Sequence, residues 1–83
     1  MTLMTLSRQS LLQHLVDEFG LDAAGIDDAT LLFSDGLLDS FAVADLLTYI
    51  EEQGAFTVQP HEVTLDNLDS IERILAFANS KAG

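Results

Sequence analysis

Apolar residues recur at helical spacing along three stretches of the chain. Leu11, Leu12, Leu15, Val16 and Phe19 fall within an arc of about 140° when drawn at roughly 100° per residue. This predicts a first helix over residues 7–19, with Ser7 as N-cap and Gly20 as the left-handed residue that ends it. His14, Asp17 and Glu18 lie off the apolar face. Val43, Leu46, Leu47 and Ile50 cluster within about 100° and predict a second helix from Ser40 to Gln53. Asp39 or Ser40 supplies its cap, and Gly54 ends it. Leu68, Ile71, Ile74, Leu75 and Ala78 share a third face, on a helix expected over 68–79 with Asn67 as cap. Pro60 suits the first turn of a short helix that runs to about Val63. Phe56-Thr57-Val58 reads as an extended piece too short to build a sheet.

Between the first two helices lies a long connection, residues 20–39. Gly25, Asp27, Asp28, Ser34, Asp35 and Gly36 punctuate it, yet it also carries Leu21, Ile26, Leu31, Leu32, Phe33, Leu37 and Leu38. A solvated loop has no use for so many large apolar groups. The expectation is a loop pinned to the core, with one helical turn near Asp28–Leu32. The predicted fold class is all-α: a small four-helix bundle, three main helices plus one short one. It forms a single domain over 1–83 with an ordered core of about 7–79 and loose ends at 1–6 and 80–83. Leu37, Leu38, Phe56, Val58, Val63, Leu65 and Leu68 are expected to pack between helices. Both a dry core and a cavity for a bound chain are compatible with them. Tyr49 is expected to flank the core with its hydroxyl in water.

Charge narrows the field of partners. Among 83 residues, three Lys+Arg face fourteen Asp+Glu, a formal charge of -11. Such a polyanion is repelled by nucleic acid and by anionic lipid, and it suits partners with basic patches. No cysteine is present, so there is no disulfide framework and no thiolate metal site. No apolar run approaches the roughly 20 residues needed to span a bilayer. Met1–Leu6 lacks a basic region and a long apolar stretch, so a secretory signal is not expected and a cytoplasmic address follows. Arg8, Arg73 and Lys81 are too few to define a basic site.

The informative stretch is Ser34-Asp35-Gly36-Leu37-Leu38-Asp39-Ser40-Phe41. It sets a serine at the first turn of a helix, directly after an aspartate. By local sequence this is a capping pair. A catalytic Ser40 would need a base and an oxyanion hole. The flanking residues do not form a nucleophile elbow, and His14 and His61 are expected at the surface far along the chain. Asp35, Gly36 and Asp39 lack the alternating oxygens and closing glutamate of a calcium loop, so no metal ligands are assigned. Weak screening by divalent ions still suits so many carboxylates. As an attachment point, Ser40 would hold a phosphodiester at the positive end of the helix dipole.

Asp39-Ser40-Phe41, followed by an acidic amphipathic helix, resembles the attachment motif of acyl carrier proteins, a group that includes peptidyl and D-alanyl carriers. The likeness spans nearly the whole chain. It takes in the amphipathic first helix, the apolar-studded loop, the acidic second helix, the Pro-led short helix and the final amphipathic helix. The resemblance implies that Ser40 accepts a covalent 4'-phosphopantetheine from coenzyme A through a phosphopantetheinyl transferase, with Asp39 assisting attachment. The thiol of the arm would carry acyl or aminoacyl thioesters, loaded by an activating ligase and passed to downstream acyl-transferring enzymes. The chain itself would be a monomeric, non-catalytic carrier. Partners would read the second helix at Phe41, Ala44, Asp45, Thr48, Glu51 and Glu52.

Phe41 is bulkier than the leucine or methionine usual after the serine. Thr48 stands where fatty-acid carriers place an apolar contact. Both features, with the wording Asp35-Gly36-Leu37-Leu38-Asp39-Ser40, bring the chain nearer to D-alanyl, aminoacyl and specialised-pathway carriers than to a housekeeping fatty-acid carrier. The alternative from another class is an unmodified acidic module for protein–protein contact.

Overall fold

Ser7 starts the first helix by the expected device. Its hydroxyl accepts from the Ser10 N–H at 3.1 Å, while the Ser10 hydroxyl accepts from the Ser7 N–H at 2.9 Å. The two bonds close a reciprocal cap. In the computed structural model, which describes residues 6–54 and 56–82, α1 runs Arg8–Phe19, α2 Ser40–Gly54, α3 Leu65–Leu68 and α4 Ile71–Ala82. Short 3-10 turns lie at Ala23–Gly25 and Pro60–Glu62. Gly20 ends α1 in the left-handed region at φ 69°. The fold is the small all-helical bundle expected, with α4 packed against α1, α2 and α3.

The core is aliphatic. Leu11, Leu15, Leu32, Leu46, Ile50, Ile71, Ile74 and Ala78 are each fully buried. Burying one such leucine or isoleucine contributes about 1.5–3 kcal/mol. Leu6, expected in a loose end, belongs to this core. Residues 1–5 and 83 of that same expectation lie outside the described residues. At the other end α4 continues through residues 80–82 instead of fraying, and Lys81 reaches Glu62 at 2.9 Å.

The core face of α2 is turned relative to the expected one. Ala42, Leu46 and Ile50 are buried, whereas Val43 and Leu47 are only half-buried. The small methyl of Ala42 lets the helix approach the bundle closely, which leaves Val43 on the flank. At the far end of α2, Gly54 is buried under Phe56. A Cβ there would meet the Phe56 ring at 2.2 Å, so only glycine fits without displacing the ring.

Residues 20–39 are pinned as expected, but the helical turn sits earlier. Asp22 caps Ala23–Gly25 through the Ala24 N–H. The predicted span Asp28–Leu32 instead follows a turn closed by Asp27 and Thr30. Ile26, Leu32 and Leu38 plug the loop into the core. Gly36, at φ 80°, closes a turn back to the Phe33 carbonyl just ahead of α2.

The helix expected over 68–79 begins later, at Ile71, and Leu68 belongs instead to the separate single-turn α3. Ser70, not Asn67, opens this last helix, its Oγ accepting from the Arg73 N–H at 3.2 Å, while Thr64 caps α3. The Asn67 amide instead donates to the Glu62 carbonyl. Between the two helices sits Asp69, whose carboxylate takes its hydrogen bonds from the loop.

Candidate functional site

Ser40 is the first residue of α2 and is exposed. Asp39 is the cap: its Oδ1 accepts from the N–H groups of Phe41 at 3.1 Å and Ala42 at 3.2 Å. This choice between the two candidate caps has a consequence for the serine. The first-turn donors are satisfied by Asp39, so the Ser40 hydroxyl is not consumed in capping and faces outward. Both residues are exposed.

Beside Ser40 opens a cleft of about 340 Å³. Phe33, Leu38, Val43, Val63, Leu65 and Leu68 provide its apolar walls, and Asp39, Ser40 and Thr64 its polar ones. Here the expectation that the apolar residues pack between helices is corrected. Leu38 and Leu68 are buried, but Leu37, Val63 and Leu65 are 41%, 36% and 53% exposed. The turn of α2 that places Val43 on the flank and the break between α3 and α4 leave these side chains at the cleft and its surroundings. The deeper core, at Leu46, Ile50, Ile71 and Ile74, is fully closed.

The floor of the site rests on Asp69. Its residue is 1% exposed, and its carboxylate accepts from the Phe33 N–H at 2.7 Å, the Ser34 N–H at 3.0 Å and the Ser34 hydroxyl. The Leu32 N–H meets the Asp69 carbonyl at 2.6 Å. Burial works to raise the Asp69 pKa, but the hydrogen bonds from Ser34 and Phe33 and the nearby Arg73 guanidinium outweigh it and hold the carboxyl below the usual range. Sequence reasoning missed this residue. The available signal was an acid at a core-facing position, between Leu68 and Ile71.

The proposed recognition residues are brought together in part. Phe41 is 86% exposed, and Ala44, Asp45, Thr48 and Glu52 are exposed along α2. Thr48 Oγ1 donates to the Ala44 carbonyl at 3.0 Å. Glu51 leaves this surface: half-buried, it accepts from the Val58 N–H at 2.7 Å and holds the segment after α2. Asp45 Oδ2 lies 2.9 Å from His14 Nε2. His14 is thus not the surface residue expected, since its side chain is 12% exposed and its ring stacks on Tyr49 at 3.9 Å. The Tyr49 hydroxyl, expected in water, donates to the Ser10 carbonyl at 3.0 Å. His61 is exposed. Neither histidine lines the cleft beside Ser40.

Among the described residues no helix is long and apolar enough to cross a membrane. No protein-family model matches the chain. A D-alanyl carrier protein from Abiotrophia defectiva is 31% identical over 68 residues, which cover 81% of this chain and 86% of that protein. Taken with the four-helix architecture, this likeness shows that the chain is a carrier protein and belongs to the acyl carrier protein family, D-alanyl carriers included.

Proposed function

We propose that Ser40 bears 4'-phosphopantetheine and that the chain holds acyl or aminoacyl groups as thioesters on this arm. The observation that carries the reading is the exposed serine at the start of α2, directly beside an apolar cleft. The groups present fit the arm. A phosphodiester on Ser40 would project from the positive end of the α2 dipole, and the cleft offers apolar surface to the chain beyond it. When bound, the arm supplies the thiol that the cysteine-free sequence lacks. Asp39 holds the first turn through the Phe41 and Ala42 N–H groups, and its exposed carboxylate, one residue before the serine, would assist metal-dependent attachment by a phosphopantetheinyl transferase.

The carrier works by tethering. A linked cargo meets each enzyme at an effective concentration set by the arm and not by bulk supply. An activating ligase loads the thiol, and downstream acyl-transferring enzymes unload it. Basic patches on these partners are complementary to Asp45 and Glu52, with Phe41 as the apolar anchor; such charge pairs speed encounter and set orientation. The closed inner core and the shallow outer cleft suit a short cargo resting on the surface. D-alanine, named for the relative from Abiotrophia defectiva, is the first to test. The reading also places the chain in the cytoplasm as a monomer.

Intact-mass measurement after incubation with coenzyme A and a broad-specificity transferase tests the proposal. One arm is expected on the wild-type chain and none on Ser40→Ala. An unmodified wild-type chain, beside a control carrier that is modified in the same tube, would overturn it.

A further inference from the structure

We propose that His14, Glu18 and Asp45 form a binding site for a divalent transition metal, zinc(II) in the first instance, that bridges α1 and α2. His14 and Glu18 stand one helical turn apart on α1, the i and i+4 spacing that aligns two side chains on one face. Asp45 faces them from α2. One ligand-type atom from each of the three lies within 4.8 Å of the other two.

The imidazole is what distinguishes this group from ordinary surface acids. Its ring is stacked on Tyr49 at 3.9 Å, and the Phe19 ring meets it edge-on at 5.9 Å. Tyr49 is in turn fixed by its bond to the Ser10 carbonyl. Nε2 is therefore held between the helices, toward Asp45, so the imidazole itself needs no ordering on metal binding. In a tetrahedral zinc site, with bonds of about 2.0–2.1 Å, neighbouring ligand atoms stand about 3.3 Å apart. The His14–Asp45 separation of 2.9 Å needs only a slight opening. Glu18 is exposed and can swing in to close the rest. Water would complete the coordination, as in sites with three protein ligands.

The donor set selects the metal. Magnesium and calcium favour oxygen throughout, whereas an imidazole with carboxylates suits zinc and its neighbours. The formal charge of -11 raises the local concentration of any cation. Occupancy would clamp α1 to α2 and neutralise Asp45 on the helix that begins at Ser40. It would thereby alter the charge on that helix without touching the serine. The site is independent of whether Ser40 is modified.

The test uses the full chain, stripped with a chelator and titrated with zinc(II) by calorimetry, with magnesium as the comparison ion. One zinc per chain is expected, and binding should weaken at least tenfold in His14→Gln and in Glu18→Gln. Glu18→Gln alters an exposed side chain, so it reads the site even where loss of the His14 ring loosens the fold. Proton NMR at one equivalent of zinc should move the His14 ring signals and leave those of His61 in place. The response to magnesium should be the same in wild type and Glu18→Gln. Absence of zinc binding, equal zinc affinity in Glu18→Gln, or a response centred on His61 would each overturn the proposal.

Discussion

The segment that leads into α2 and the segment that follows it both border the cleft beside Ser40, yet they are tied down by different means. Residues 20–39 are nailed by apolar side chains, Ile26, Leu32 and Leu38, and by a buried carboxylate that gathers the Phe33 and Ser34 donors. The Asp28 carbonyl adds a bond from the Glu72 N–H at 3.0 Å. Residues 56–64 are held largely by half-buried carboxylates. Glu51 takes the Val58 N–H, while Glu62 takes the Gln59 N–H and Lys81. Phe56 is the exception, packing on Gly54 and edge-on to Phe77 at 6.2 Å. The Asp69 side chain is 2% exposed, against 25% and 19% for Lys81 and Glu62, and a hydrogen-bonded group costs more to break the more deeply it is buried. The cleft therefore has a stiff floor and a less firmly held wall.

The largest test of this contrast is Asp69→Ala. It removes the acceptor for two main-chain donors and one hydroxyl in a closed setting. The expected loss is about 3 kcal/mol in urea unfolding, with faster hydrogen exchange at Phe33 and Ser34. A loss under about 1 kcal/mol would show that the apolar plugs alone fix the floor.

Acid should reproduce part of that loss. The Asp69 carboxyl is held below the ordinary aspartate range in the folded chain by Ser34, Phe33 and Arg73, against the opposing effect of burial. A lowered folded pKa contributes stability that is present above the unfolded value, about 3.9, and is lost as pH falls through the folded one. The stability difference between wild type and Asp69→Asn should therefore be constant near neutrality and shrink below about pH 4. A difference independent of pH down to the acid limit would remove the ionised carboxylate from the account. Comparing the two proteins cancels the relief of self-repulsion that protonation brings to so acidic a chain.

Features set by neighbours in sequence could be read without a structure. Ser7 and Gly20 bracket α1 because caps act over a few residues, and Asp39 caps α2 for the same reason. The long loop was legible as pinned, since Ile26, Leu32 and Leu38 have no place in water. What escaped was set by distant partners. The break at Asp69–Ser70 depends on Phe33 and Ser34, and an apolar face drawn through Leu68 and Ile71 cannot show it. The turn of α2 toward Ala42 depends on how closely α2 seats in the bundle. At the site, Ser40 and its neighbour were visible as a motif. The cleft was not, because an apolar residue in a core and one on a cleft wall, such as Leu65, look alike in a sequence. His14 and Asp45 meet across two helices and gave no local sign.

The smallest effect is expected at Leu65, the first residue of α3, where the chain leaves residues 56–64 and continues the wall of the cleft. Leu65 is already 53% exposed, so Leu65→Ser removes little buried area. Its stability cost should stay below about 1 kcal/mol, a fraction of that for Asp69→Ala. Its effect belongs to the cargo. In protein loaded through Ser40, a polar wall admits water to the cleft, and spontaneous thioester hydrolysis should be faster than in wild type. Urea unfolding and release of the free thiol separate the two readouts. A stability loss as large as that of Asp69→Ala would place the wall in the foundation and erase the contrast. Unchanged hydrolysis beside unchanged stability would mean that the cargo stands away from Leu65 and the cleft does not shelter it.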